Sequence, residues 1–162
     1  MTGQPLSPEQ IIQLVTPFFK GELETKYGNV FFGRMWSAWE LSDFTFACDS
    51  RHIDIIWNLL EKSHGNIGQA KEIWSPIEDF SIPTDFDNFY KRLDIIVNSL
   101  KSGKRIFVHC FSGCGRTSLG LATILVRLGS TTHEALRIVQ ETAHGPETED
   151  QITFVKNMIL TP

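Results

Sequence analysis

The chain has 162 residues, 41% of them hydrophobic and 21% charged, which is the composition of one globular domain with a sizeable core. A formal charge of −4 without basic runs speaks against nucleic acid as a partner, and no apolar stretch is long enough to anchor the chain in a membrane. Three cysteines, an odd number, make no disulfide framework and predict a reducing, cytoplasmic setting, while five scattered histidines (52, 64, 109, 133 and 144) offer no metal-ligand spacing.

In chain order, residues 1–6 read as loose, and Ser7-Pro8-Glu9-Gln10 predicts a capped helix that stops near Pro17 to Gly21. Asn29 to Trp36 predicts a strand. Ile53 to Leu60 predicts a second one, buried on both faces, with Asp54 as an awkward exception. The apolar run Glu72 to Ile77 leads into a loop carrying Asp79. Phe86, Phe89, Tyr90, Leu93, Val97 and Leu100 follow helical spacing, predicting a helix over 84–102 with Thr84 as its cap and Asp85 and Asp87 in its first turn. Lys104 to Val108 predicts a short buried strand, and helices follow over 117–128, 131–143 and 148–160. Strands alternating with helices imply an α/β fold with a central, mainly parallel sheet flanked by helices and a site at the strands' C-terminal ends. The N-terminal aromatics Phe18, Phe19, Phe31, Phe32, Trp36, Trp39, Phe44 and Phe46 read as core, with Trp36, Trp39 and Phe44 as alternative rim residues for an aromatic substrate.

Between the strand at 104–108 and the helix at 117–128 lies His109-Cys110-Phe111-Ser112-Gly113-Cys114-Gly115-Arg116-Thr117. A glycine-rich loop that opens a helix points unpaired backbone N–H groups, and the positive end of the helix dipole, at any anion it encloses. A thiol placed there beside a cation favours its nucleophilic thiolate form, which makes Cys110 the candidate nucleophile. Arg116 supplies a planar, permanently charged fork for two phosphate oxygens. Phe111, Ser112, Gly113, Cys114 and Gly115 form the cradle, Thr117 or Ser118 can hydrogen-bond the sulfur, and His109 braces the loop.

The segment resembles the His-Cys-x5-Arg-Ser/Thr signature of cysteine-dependent protein tyrosine and dual-specificity phosphatases. Trp74 to Pro83 resembles the family's general-acid loop, and Asp79 lies 110 − 79 = 31 residues before Cys110. Trp74, Phe80 and Ile82 are expected to bury Asp79 in part, a setting that favours the neutral acid. Asp85 and Asp87 compete with Asp79 for that role, although a helix start accounts for both. Gly145 to Gln151 is similar to the segment that carries a water-positioning glutamine, but Thr148-x-x-Gln151 is also a capping-box pattern that explains Gln151 by itself.

The resemblance implies the tyrosine phosphatase fold and a phosphatase that needs neither cofactor nor metal. It would act on phosphotyrosine, and on phosphoserine or phosphothreonine, in proteins through a cysteinyl-phosphate. The short chain and the sequence Thr117-Ser118-Leu119-Gly120 sit closest to the small kinase-associated and atypical dual-specificity types, and a monomer is expected. A phosphoinositide or RNA 5′-phosphate phosphatase on the same loop, or a phosphate-binding adaptor without turnover, are the alternatives. The absence of lysine at loop positions 111, 112 and 114 disfavours the lipid. Cys114 reads as inert, with oxidative pairing to Cys110 as the competing possibility and Cys48 as another partner.

Overall fold

The computed structural model describes Pro5 and residues 17–160. The expected helix starting at Ser7 lies outside the described residues except at its end, where a strand stands in place of a helix stop.

Five strands form one sheet in the order β1-β2-β5-β3-β4. They are β1 (Phe19–Thr25), β2 (Gly28–Gly33), β3 (Ile55–Asn58), β4 (Lys71–Trp74) and β5 (Ile106–His109). β1 pairs antiparallel with β2, and the remaining neighbours are parallel. Both flanking strands end level with β5, because Gly33 and Asn58 are each registered against His109. The loops that follow β2, β3 and β5 therefore leave the sheet at one edge, where an α/β sheet places its site.

The helices are α1 (Leu41–Ser50), α2 (Phe86–Lys101), α3 (Gly115–Arg127), α4 (Thr132–Thr142) and α5 (Glu149–Lys156). Strand side chains alternate between two cores. Val30, Phe32, Ile55, Trp57, Ile106 and Val108 face α2 to α5, whereas Phe31, Ile56 and Phe107 face Phe44 and Cys48 of α1 and the ring of Trp36. Helix α3 is the most enclosed helix, buried from Gly115 through Leu125, and it packs closely at Gly120. A Cβ there would stand 2.8 Å from Leu59 Cδ1 and 3.3 Å from the Trp57 ring.

β3 and β5 are buried at every position, as uninterrupted apolar runs require. Asp54 falls just outside β3 and accepts a hydrogen bond from the Arg105 backbone N–H at 2.9 Å, which removes the exception. The strand predicted over 29–36 ends at Gly33. The cap of α2 is Asp85 and not Thr84: its carboxylate accepts from the Asn88 N–H at 3.0 Å. Thr148 caps α5 as its capping-box pattern indicates, and Thr131 caps α4.

Strand β1 and helix α1 depart from the reading of the sequence. β1 starts at Phe19, within the stretch from Pro17 to Gly21 where the sequence predicts a helix to stop. Helix α1 turns only Phe44 and Cys48 into the core, with Phe46 74% exposed, so it carries almost no helical pattern. Treating the N-terminal aromatics as core also fails for Trp39, which is 70% exposed. Trp36 and Phe44, in contrast, stack on each other at 3.9 Å inside the core and cannot rim a cleft.

Candidate active site

The loop from Cys110 to Gly115 joins the central strand β5 to α3, and its two neighbours hold it by backbone bonds. Met35 N–H donates to Phe111 O at 3.0 Å, and Leu59 N–H donates to His109 O at 3.1 Å. Gly113 has φ +85°, and a Cβ there would lie 2.7 Å from Gly33 O, so only glycine lets the loop turn over the end of β2. At Gly115, a Cβ would collide with the Glu147 carboxylate.

Cys110 is 2% exposed, and Thr117 donates its hydroxyl to Cys110 Sγ at 3.1 Å. Ser118, the other candidate, instead bonds the Ala143 carbonyl at 3.4 Å. Arg116, 4% exposed, donates from Nη1 to Ile77 O at 2.9 Å. Its Nη2 lies 3.5 Å from Asp79 Oδ1, and its Nη1 lies 3.7 Å from Glu61 Oε1. The Arg116 Nε is buried without a partner. Phe111 stands 71% exposed at the mouth.

The structure thus brings Cys110, Arg116, Thr117 and Asp79 together, with Asp79 in a different state from the one expected. Its side chain is 58% exposed, more open than the partial burial expected from Trp74, Phe80 and Ile82. Trp74 donates its indole N–H to Leu60 O at 2.8 Å, while Phe80 is 60% exposed and adopts φ +59°, a strained conformation for an aromatic residue. Asp85 and Asp87 serve the N-terminus of α2.

Gln151 is fully buried and its amide is engaged on both sides. Its Oε1 accepts from the N–H groups of Glu147 (2.9 Å) and Thr148 (3.3 Å), and its Nε2 donates to Ser81 O at 3.0 Å. The capping box is real, and the same side chain ties α5 to the loop carrying Asp79.

His109 is completely buried, and its Nε2 lies 3.0 Å from the Nε2 of His64. Burial, then the neighbouring His64, pushes His109 down to about 3, and burial also lowers His64. Both rings are therefore neutral near pH 7. His64 Nδ1 faces two acceptors, Gly65 O at 2.6 Å and Glu72 Oε2 at 3.3 Å, so it carries the ring proton and leaves Nε2 as an acceptor. His109 Nδ1 lies 3.3 Å from the Cys110 carbonyl, so the ring is held at both nitrogens. Burial works against the ionised form of Glu72, but bonds from Ser63, Asn58 and the His64 N–H outweigh it and hold the carboxyl below its ordinary range.

Four residues around the loop escaped the sequence: Lys20, Glu61, His64 and Glu72. A β-bulge between Phe19 and Gly21 releases Lys20 from its ladder. Its Nζ reaches Ser112 O at 3.0 Å and Cys114 Sγ at 3.5 Å, so a loop without lysine still receives one from β1. Glu61 alone had a signal, since it follows a parallel strand on the site's edge. Cys48 is buried and its thiol is pushed up to about 12 by that burial. Among the described residues no group of three His, Cys, Asp or Glu side chains could hold a metal ion.

Comparison with known proteins adds the following. The model of the family described as Tc-R-P, polymorphic toxin system, DSP-PTPase phosphatase, matches residues 45–130, from α1 through the loop and α3. The tyrosine phosphatase homologue 197R of Invertebrate iridescent virus 6 is 30% identical over 90 residues, covering 54% of this chain and 34% of that protein. The chain thus spans about a third of the length of that relative. Among solved structures, Tk-PTP in its active form superposes with TM-score 0.70 at 24% identity, covering 90% of this chain and 99% of that one. Kinase-associated phosphatase with its catalytic cysteine substituted gives TM-score 0.73 at 16% identity, covering 88% and 94%. PTPMT1 in complex with PI(5)P gives 0.66 at 13%, covering 79% and 86%. At these identities the structures establish the fold.

Proposed function

The chain belongs to the DSP-PTPase phosphatase family of polymorphic toxin systems, and from that premise we propose that it hydrolyses phosphate monoesters on proteins, phosphotyrosine foremost, through a cysteinyl-phosphate. The observation that carries the proposal is the approach of Asp79 to within 3.5 Å of Arg116, whose buried guanidinium closes the loop begun by Cys110. Nucleophile and clamp come from one continuous segment and the acid from another, and the fold brings the three side chains to one place.

Cys110 attacks phosphorus in line as the ester oxygen leaves. Arg116 and the loop N–H groups hold the three equatorial oxygens, and Arg116 meets the charge that a divalent cation meets in many phosphoryl transferases. Asp79 gives its proton to the departing oxygen, then takes one from the water that attacks the thiophosphate. An exposed carboxyl suits that exchange, because it can be reprotonated from solvent. The Thr117 hydroxyl, donating to Sγ, stabilises the thiolate when it is expelled in the second step. Gln151 positions the acid loop through Ser81 O; with both ends of its amide engaged, it is not assigned to the water. The thiol needs a reducing setting.

The test is hydrolysis of a chromogenic aryl phosphate with chelator and reductant present. Wild type should turn over and Cys110→Ser should not; turnover surviving in the mutant, or abolished by chelator, would refute the mechanism.

A further inference from the structure

We infer that Glu61 is a specificity-determining residue that selects phosphorylated protein segments carrying a lysine or arginine beside the phosphorylated residue. The inference rests on the phosphatase reading above and names the substrate class within it.

Two carboxylates share one guanidinium at the mouth of the loop. Asp79 Oδ1 lies 3.5 Å from Arg116 Nη2 and Glu61 Oε1 lies 3.7 Å from Arg116 Nη1, both on side chains 58% exposed at the mouth. Arg116 itself is buried, with Nε unpartnered, so the guanidinium retains a donor for a further acceptor. A phosphate monoester entering the loop arrives close to dianionic and claims that guanidinium. Asp79 accommodates it by carrying the proton it later delivers. Glu61 transfers no proton, so it remains as an exposed anion beside the bound phosphate, deprived of its counter-charge.

The protein's other charges at the rim do not relieve it. Lys20 is held over the opposite side of the loop, with its stem against Gly113 and its Nζ on Ser112 O. Glu147, packed against Gly115, adds a third carboxylate. Lys62, next in the chain, is an internal competitor for that place. A cationic side chain on the substrate, one or two residues from the phosphorylated position, would take the place beside Glu61 that Arg116 gives up. A substrate with a second phosphate or an acidic flank would meet the same carboxylate with the wrong sign. The rim therefore favours basic phosphopeptides over inositol lipids.

The experiment compares kcat/KM for one phosphotyrosyl peptide made with Lys, Ala or Glu on both flanks, alongside a neutral aryl phosphate and a short-chain phosphatidylinositol phosphate. The enzymes are wild type, Glu61→Gln, Glu61→Lys and Cys110→Ser. The readout is the Lys-to-Glu peptide ratio within each enzyme, so a general loss of folded protein or turnover cancels. Wild type should prefer the Lys peptide about tenfold, E61Q should reduce that preference several-fold, and E61K should invert it. A wild-type ratio within about twofold of unity, a ratio that E61K leaves in place, or faster hydrolysis of the lipid than of the Lys peptide would overturn the inference. In each of these cases aryl phosphate turnover, lost in Cys110→Ser, would leave the phosphatase reading standing. No wild-type turnover of any substrate would remove both.

Discussion

Residues 106–127 and residues 54–82 both reach the guanidinium of Arg116, yet they do so by different means. The first runs as one continuous strand, loop and helix, in which nucleophile, cradle and clamp are neighbours along the chain. The second contributes Glu61, His64 and Asp79, all from loops, and the register of β3 and β4 against β5 decides where they arrive. A cradle made of chain neighbours can survive changes elsewhere in the fold. Its charge environment is assembled at a distance and answers to strand pairing, which makes it the part through which selectivity can vary while the loop stays the same.

The largest expected effects strike the continuous segment. Arg116→Lys keeps the charge but loses the fork and the bond to Ile77 O, and should lower kcat/KM for an aryl phosphate on the order of 10³-fold. Steady-state kinetics of that variant would weaken the assignment of Arg116 as clamp if the loss stayed under about tenfold. On the distant segment, Asp79→Asn should cost about 10²-fold with a poor leaving group such as an alkyl phosphate and much less with nitrophenolate. The slope of log kcat/KM against leaving-group pKa measures this. An equal loss across all leaving groups would remove Asp79 from proton delivery and open the position to another carboxylate.

The same contrast governs what could be read in advance. The loop needed only chain order, and α2, α4 and α5 declared themselves because each buries one stripe of a periodic pattern, whereas α3 is a run enclosed on all sides. The opposite face is covered by α1 and by aromatic rings, with Phe19, Trp36, Phe44 and Phe107 in contact, and ring packing carries no period. Strand β1 was hidden for that reason, and Lys20 with it, since a bulge cannot be foreseen in an unrecognised strand. The place of Asp79 followed from the loop after the apolar run at 72–77, but its exposure did not, because the directions of Trp74 and Phe80 depend on a tryptophan hydrogen bond and a positive φ. Gln151 carried two readings in the sequence, and only the position of Ser81 O showed that the cap also holds the acid loop.

Helix α3 offers a stability test of the continuous segment that is separate from its chemistry. Gly120→Leu should destabilise the protein by about 3 kcal/mol, since a Cβ at Gly120 already stands 2.8 Å from Leu59 Cδ1 and a larger side chain has to part helix from sheet. Denaturant midpoints measure it. A change below about 0.5 kcal/mol would mean that the helix does not depend on close approach at that point.

The smallest effect belongs to the histidine pair, where the two segments touch. His109 is pushed down to about 3, chiefly by burial and then by His64, against an unfolded value near 6.5. Between those limits the unfolded chain binds a proton that the folded chain refuses, so stability must fall as pH falls. The contribution is fully present above pH 6.5 and is lost progressively toward pH 3. At pH 5 the loss is about 1.5 × 1.36, or ~2 kcal/mol, a figure that depends little on the folded value so long as it stays well below 5. His64, which faces His109, is lowered in the same direction and steepens the loss, whereas Glu72, held below its ordinary range, adds its share only at more acid pH. His109→Gln removes one titration and keeps a neutral polar group against His64. Its denaturant midpoint should therefore drop less than that of wild type between pH 7.5 and pH 5, whatever its absolute stability. If the two proteins lose stability in parallel, the acid sensitivity arises elsewhere, and the pair is neither buried nor neutral in the way its geometry requires.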